Sequence, residues 1–350
     1  MIGDGLLDNV ASILERDCPA SRYAILADSH VAPLYAEPLR SALGPARADV
    51  FTFPAGEWNK TRETWAELTD QLLRHEYDRQ SAIIGLGGGV AGDLAGFVAA
   101  TFLRGVPLVQ VPTSLLAMVD SAIGGKAGVD TAFGKNLVGA FHQPRVVIAD
   151  VATLRTLPPV QLAAGLAEVI KHGAIADAAY LDHVVAAVER IHAREASILI
   201  ETVRRSVEIK ASIVGEDERE QDRRAILNFG HTVAHALEIV LGYEMLHGEA
   251  VAVGMVAEAA IGEALGVTEP GVGDSVRHAL ERCRLPLEPP ADVDRQAMLD
   301  HMKRDKKARA GTVRFALLHT VGSVARDQDG RYTIAVPGQA IEEGLGKLWS

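Results

Sequence analysis

Cysteine is scarce in this chain: Cys18 and Cys283 are the only two among 350 residues, far apart and in no ligand-like spacing. A disulfide framework is therefore not expected, and a reducing cytoplasm suits the chain best. Positive charge is also short. Lys and Arg number 35 against 46 Asp and Glu, a net charge of −11, which argues against a nucleic-acid partner. A small anionic substrate stays compatible, because a local cluster of Lys and Arg binds one inside an acidic protein. The opening residues, MIGDGLLDNV, carry an acid where an export signal would carry bases, so no signal peptide is expected. Internal repeats and low-complexity stretches are absent as well. One apolar run, residues 82–103, is long enough to span a bilayer and carries a single charge, Asp93. Its Gly87-Gly88-Gly89 run, Gly92 and central acid fit a strand, a glycine turn and a helix better than a membrane span.

What is present is globular. Hydrophobic residues make up 48% and charged residues 23%, and the length accommodates two cores. Short apolar runs alternate with amphipathic stretches as far as residue 150, the pattern of parallel βα units. Strands are expected at 23–27, 50–53, 81–86, 108–111 and 146–149, with a Thr-capped helix at 61–75. Beyond residue 150 the segments become long, Ala-rich and helically periodic, clearest at 191–214 and 248–265. Strands at 313–318 and 332–336, with turn residues Asp329-Gly330 between them, close the chain. The expectation is an α/β nucleotide-binding domain over 1–150 and a mainly α-helical metal-binding domain over 151–350.

Gly87-Gly88-Gly89-Val90-Ala91-Gly92 fits G-x-G-x-x-G between a strand and a helix. Glycines let the backbone approach a pyrophosphate, and the helix start offers N–H groups and a positive dipole. A tight turn without a ligand gives the same pattern, and no acid follows about 20 residues on, where a ribose contact normally sits. Residues 121–136, SAIGGKAGVDTAFGKN, carry Lys126 and Lys135 each after a glycine, then Asn136. Such a loop holds phosphate or carboxylate groups, or is merely solvated.

The second half holds AEVIKHG around Glu168, NFGHTVAH with His231 and His235, and LHGE with His247. Each histidine alone reads more simply as a surface or satisfied core residue. Several polar groups in small, apolar helices instead favour a zinc-type site with histidine and carboxylate ligands. One helical turn separates His231 from His235, so spacing favours that pair, with Glu168 or His247 third. Glu208-Ile209-Lys210, Arg223-Arg224 and Arg304-Asp305-Lys306-Lys307 are either solvated charge or an anion-seeking surround.

Taken together, the stretches GGGVAGDLAGF, TFLRGVPLVQVPTSLLAMVDSAIGGKAGVD, GKNLVGAFHQP, GLAEVIKHG, EIKASIV, RRAILNFGHTVAHALE, LHGEAVAVGM and DKKARAG resemble the 3-dehydroquinate synthase family of sugar-phosphate cyclases. They cover most of residues 80–315 in the family's order. The resemblance implies an N-terminal NAD-binding α/β domain, a C-terminal helical domain and an active site in the cleft between them. It implies Glu168, His231 and His247 as ligands of zinc or cobalt, overruling the spacing preference and moving His235 to the substrate phosphate. NAD contacts are implied at Asp28, Glu57, Lys60, Gly88, Gly89, Val90, Asp93, Thr113, Ser114, Leu116 and Asp120, with Lys126 and Lys135 close by. Polar groups on the earlier strand ends and in the Glu57 loop would then take the place of the missing ribose acid.

Substrate contacts are implied at Lys126, Lys135, Asn136, Lys171, Lys210, Arg224, Asn228, His235 and Lys306, with Arg104 reaching from a neighbouring subunit of a homodimer. The implied reaction turns 3-deoxy-D-arabino-heptulosonate 7-phosphate into 3-dehydroquinate and phosphate in the cytoplasm, with no nucleic acid or membrane involved. The chain departs from the usual pattern at four positions: His30 for Asn, Ala127 for Thr, Asp130 for Asn and Ala234 for Gly. Of these, His30 puts one nucleotide contact in question. Three other readings compete. A related cyclase for sedoheptulose 7-phosphate or glucose 6-phosphate would alter the pocket that Lys210, Asn228, His235 and Lys306 retain. A metal-dependent polyol or alcohol dehydrogenase of the same fold would need no anion pocket. A regulatory protein keeping the fold would be expected to lose a metal ligand.

Overall fold

The computed structural model describes residues 1–304 and 313–348. The chain forms two compact units, Met1–Leu157 with Leu199–Arg204, and Pro158–Ile198 with Arg205–Ser350.

The first unit is built on a five-stranded parallel sheet. Its strands are β1 (Tyr23–Asp28), β2 (Ala48–Phe53), β3 (Ala82–Gly87), β4 (Leu108–Pro112) and β7 (Val146–Val147), in the order β2-β1-β3-β4-β7. Alternation along the strands gives each face its own core. Ala24, Leu26 and Ile83 pack with Leu68, Leu72, Leu94 and Val98, whereas Tyr23, Ile25 and Ile84 pack with Val10, Leu14 and Leu39. Burial on both faces explains why these strands read as continuous apolar runs. Helix α1 (Arg62–Arg74) starts at Thr61, whose hydroxyl accepts the Thr64 N–H. Residues 82–103 resolve into β3, a glycine turn and α2 (Gly89–Thr101). No helix among the described residues is long and apolar enough to cross a membrane.

The expected loop at 121–136 is instead largely a hairpin. Strand β5 (Lys126–Thr131) pairs antiparallel with β6 (Gly134–Phe141). Its three glycines, at 128, 134 and 139, and the pair just ahead at 124 and 125 carry little strand propensity, so the pairing left no periodic signal.

The second unit is helical: α3 (Pro159–Ala176), α4 (Ala178–His192), α6 (His231–Val240) and α7 (His247–Ala264), with α5 (Ala196–Glu216) belonging to it except for Leu199–Arg204. The single helix expected over 191–214 is thus two. Arg194 takes a left-handed φ of 58°, its N–H donates to Ile191 O, and the Glu195 N–H donates to Arg190 O. That is a Schellman stop built without the glycine that normally announces one. The strand expected at 313–318 splits into Val313–Phe315 and Leu318–Thr320. The first of these pairs antiparallel with Ile334–Val336.

Candidate functional site

In the first unit the chain leaves β1 for the edge strand β2 and returns to β3. Parallel sheets bind ligands beyond the strand ends at such a reversal. Gly87 ends β3 at φ 150°, where a Cβ would stand 2.7 Å from Ala91 Cβ and 3.2 Å from Asp28 Oδ2. Gly88 is the N-cap of α2 and provides no side-chain cap, so the first turn, with Gly89 and Val90, is suited to an anionic group. Asp28 Oδ1 accepts the N–H of His30 at 2.8 Å and of Val31 at 3.0 Å. The backbone beside the departing His30 is therefore fixed whatever its side chain. Thr113 donates its N–H to Gly87 O at 2.9 Å, and Ser114 Oγ accepts the Ala117 N–H at 3.3 Å. Leu116 and Asp120 belong to the turn that follows.

Lys60 is buried, with Nζ 2.6 Å from Glu57 Oε1, 3.2 Å from Asp93 Oδ2 and 3.8 Å from Asp130 Oδ1. Burial opposes its charge, but Asp93, Glu57 and Asp130 outweigh that and hold its pKa above the ordinary lysine value. Burial in turn pushes the Asp93 carboxyl up to about 6, with Lys60 pulling the other way. Lys135 reaches to 3.8 Å from Glu57, so Glu57, Lys60, Asp93 and Lys135 form one cluster. Asp130, noticed in the sequence only as a departure, joins it. Its Oδ1 accepts the Asn136 N–H at 2.8 Å, and its own N–H donates to Lys60 O at 2.7 Å. Lys126 is exposed at the start of β5, and Arg104 is exposed in a left-handed turn after α2 with φ 70°.

In the second unit, residues 162–175 of α3 are buried without interruption. Ala and Gly dominate that helix, which lets neighbours close on it from every side. Gly248 is one point of closure, since a Cβ there would collide with the Ala164 carbonyl. This brings His247, at the head of α7, onto Glu168. The Glu168 carboxylate is fully buried and forms an ion pair with Lys171, yet among the described residues neither of its oxygens accepts a hydrogen bond. His231 Nε2 lies 3.5 Å and His247 Nε2 3.8 Å from the same Glu168 Oε1. The ligand atoms of these three residues all lie within 4.8 Å of one another.

The other ring nitrogens face acceptors: His231 Nδ1 meets Phe229 O at 3.2 Å and His247 Nδ1 meets Glu238 Oε1 at 3.3 Å. In the neutral rings those partners favour the proton on Nδ1, which turns both Nε2 lone pairs toward Glu168. Two lone pairs aimed at one carboxylate oxygen repel unless a cation stands between them. Ligand atoms about 2.1 Å from a shared tetrahedral zinc lie about 3.4 Å apart, close to the spacings seen. The donor set therefore fits a divalent ion.

The adjacent-histidine preference drawn from spacing does not describe this arrangement. His235 is not in the convergent set of ligand atoms, although its ring stands edge-on to that of His231 with centroids 5.5 Å apart. Lys210 and Arg224 are buried cations. Arg224 Nη1 donates to Glu218 O at 2.6 Å, and Asn228 Nδ2 donates to Glu220 Oε1 at 2.7 Å. Lys306 lies outside the described residues. Sequence reasoning missed Glu238, a buried carboxylate seven residues after His231 and hence on the same helical face. That spacing was the available signal.

Two family models match the chain: 3-dehydroquinate synthase N-terminal over residues 50–164 and 3-dehydroquinate synthase C-terminal over 165–308. A 3-dehydroquinate synthase from Symbiobacterium thermophilum is 48% identical over 99% of this chain and 96% of its own length. Among solved structures, 2-deoxy-scyllo-inosose synthase complexed with carbaglucose-6-phosphate, NAD+ and Co2+ matches with TM-score 0.91 and 27% identity, covering 99% of this chain and 95% of that one. The 2-epi-5-epi-valiolone synthase from Streptomyces hygroscopicus, with NAD+ and Zn2+ bound, matches with TM-score 0.88 and 26% identity over 100% of this chain and 96% of that one.

Proposed function

Because the chain belongs to the 3-dehydroquinate synthase family, we propose that it converts 3-deoxy-D-arabino-heptulosonate 7-phosphate into 3-dehydroquinate and phosphate, using NAD and a divalent metal, zinc or cobalt. The observation that carries this reading is the convergence of Glu168, His231 and His247 in a unit that also holds the family's anion-binding residues Lys171, Lys210, Arg224, Asn228 and His235. Asp28, Glu57, Lys60, Gly88, Gly89, Val90, Asp93, Thr113, Ser114, Leu116 and Asp120 are assigned to the nucleotide. When bound, NAD would take up and return a hydride while the metal polarises the hydroxyl being oxidised.

The chain's own work is positioning and charge stabilisation. Lys171 neutralises Glu168 and keeps it aligned. Lys126, Lys135, Asn136, Lys210, Arg224, Asn228, His235 and Lys306 are assigned to the substrate's carboxylate, hydroxyls and phosphate. A ketone on the sugar acidifies the neighbouring C–H, so phosphate departs by β-elimination and carries the proton away. No side chain need then act as the base. Ring opening and an intramolecular aldol step close the carbocycle.

A homodimer is part of this reading, with Arg104 serving the neighbouring subunit's site. The hairpin β5–β6 supports it: Phe133, Leu137, Val138 and Phe141 are exposed there along an unprotected edge, a feature that proteins usually cover. Cytoplasmic location is also part of it, in keeping with two free, buried cysteines. The test is phosphate release by the purified chain with NAD and zinc or cobalt. Turnover of the heptulosonate phosphate is expected; activity only on sedoheptulose 7-phosphate or glucose 6-phosphate would replace the assignment with a related cyclase.

A further inference from the structure

Glu258 is fully buried on α7 and belongs to no part of the site described so far. Its Oε2 accepts the N–H of Gly230 at 2.8 Å, and its Oε1 accepts the N–H groups of Thr232 at 3.0 Å and Val233 at 3.2 Å. These donors form the start of α6. Gly230 is the N-cap there and contributes no side-chain cap, so a carboxylate from a neighbouring helix does what Ser or Asp usually does at that position. Its negative charge also suits the positive end of the α6 dipole.

The two helices joined in this way are the ones that carry the histidine ligands. Helix α6 begins with His231, and α7 begins with His247, eleven residues before Glu258. Their contact leaves no slack. A Cβ at Gly254 would collide with Gly230 O, and one at Gly230 would stand 2.9 Å from Val251 O. We propose that Glu258 is a positioning residue for the metal site, fixing the height of α6 against α7 and thereby the separation of the His231 and His247 Nε2 atoms. The proposal rests on the metal reading given above. Glu258→Gln keeps the volume but turns one acceptor oxygen into a donor. At least one N–H at the start of α6 then loses its partner, and His231 shifts with the backbone.

The test is zinc affinity of the full chain after metal removal, measured by competition with a chromogenic chelator. Glu258→Gln is expected to bind about 10- to 100-fold more weakly, the usual cost of losing an outer support of a metal ligand, with unchanged far-ultraviolet circular dichroism. Glu258→Asp, which keeps the charge and shortens the reach, should fall between. The control is Asp177→Ala, which removes the cap on the Tyr180 N–H at the start of α4 and is expected to lower the melting temperature while leaving zinc affinity intact. Wild-type affinity in Glu258→Gln, or an equal loss in Asp177→Ala, would overturn the positioning role. A separate failure is recognisable: if Glu168→Gln and His247→Ala bind zinc like the unmodified chain, the metal reading itself falls.

Discussion

The pair Glu168–Lys171 can be tested without any turnover. Both residues lie on α3, three apart, with side chains 0% and 1% exposed. Breaking a buried ion pair by removing one partner leaves an uncompensated charge and costs about 3–5 kcal/mol. In metal-free protein, Glu168→Gln should therefore lose about that much by stranding the Lys171 ammonium, and Lys171→Met should lose a similar amount by stranding the carboxylate. The double variant removes both charges at once and strands neither, so its loss should be smaller than that of either single variant and far below their sum. Each kcal/mol corresponds to roughly 2–4 °C for a unit of this size. Either single variant should then melt roughly 6–20 °C lower, and the double variant should recover much of that. The assay is thermal unfolding in excess chelator, with amide exchange across α3 to localise the loss. Strictly additive effects would refute the reasoning, because they would mean that the two charges do not sense each other. Added zinc should raise the melting temperature of the unmodified chain and leave Glu168→Gln unmoved.

Three further outcomes are expected. His247→Ala should weaken zinc binding by at least tenfold, whereas His235→Ala should keep the metal and lose turnover; zinc lost from the His235 variant would restore the adjacent-histidine alternative. Asp130→Asn removes one negative charge from the Lys60 cluster, so calorimetry should show NAD binding tightened roughly two- to fivefold, about 0.5–1 kcal/mol. Weaker binding would show instead that the carboxylate is needed to hold Asn136. The Asp93 carboxyl is held up at about 6 in the folded chain, against 3.8 ordinarily. Its stabilising contribution is complete below about pH 4 and disappears as pH rises through about 6. The stability of the unmodified chain minus that of Asp93→Asn should fall over that window, by at most about 3 kcal/mol; a flat difference would contradict the assignment.

How much of this was legible in the sequence depends on how local each feature is. The parallel strands were readable because burial on both faces leaves unbroken runs such as YAILA. The Thr61 cap was readable because its partner is three residues away. The 126–141 hairpin was not, since its glycines and lysines resemble a solvated loop until the two strands meet. The stop at Arg194 was hidden because an arginine took the left-handed position that normally goes to glycine. At the site, residue types and order pointed to Glu168, His231 and His247 through resemblance, whereas spacing alone preferred His235. Spacing knows only one helix, and two of the three converging groups arrive from others. Glu258 escaped notice for the same reason, because a carboxylate that supports a different helix is visible only after packing, whereas Glu238 left its seven-residue spacing from His231 as a signal that went unread.

The contact at Gly248 has a further consequence for how such a chain can change. With α7 seated against the Ala164 carbonyl, one hydrogen atom sets the clearance between the backbones that carry Glu168 and His247. Neither Ala164 nor Gly248 is among the proposed ligands, yet their contact would serve as the shim of the proposed metal centre. An engineer wishing to loosen or retune it would do better to work at that shim than to exchange the ligands, since Gly248→Ala would displace His247 while leaving every donor atom in the chain.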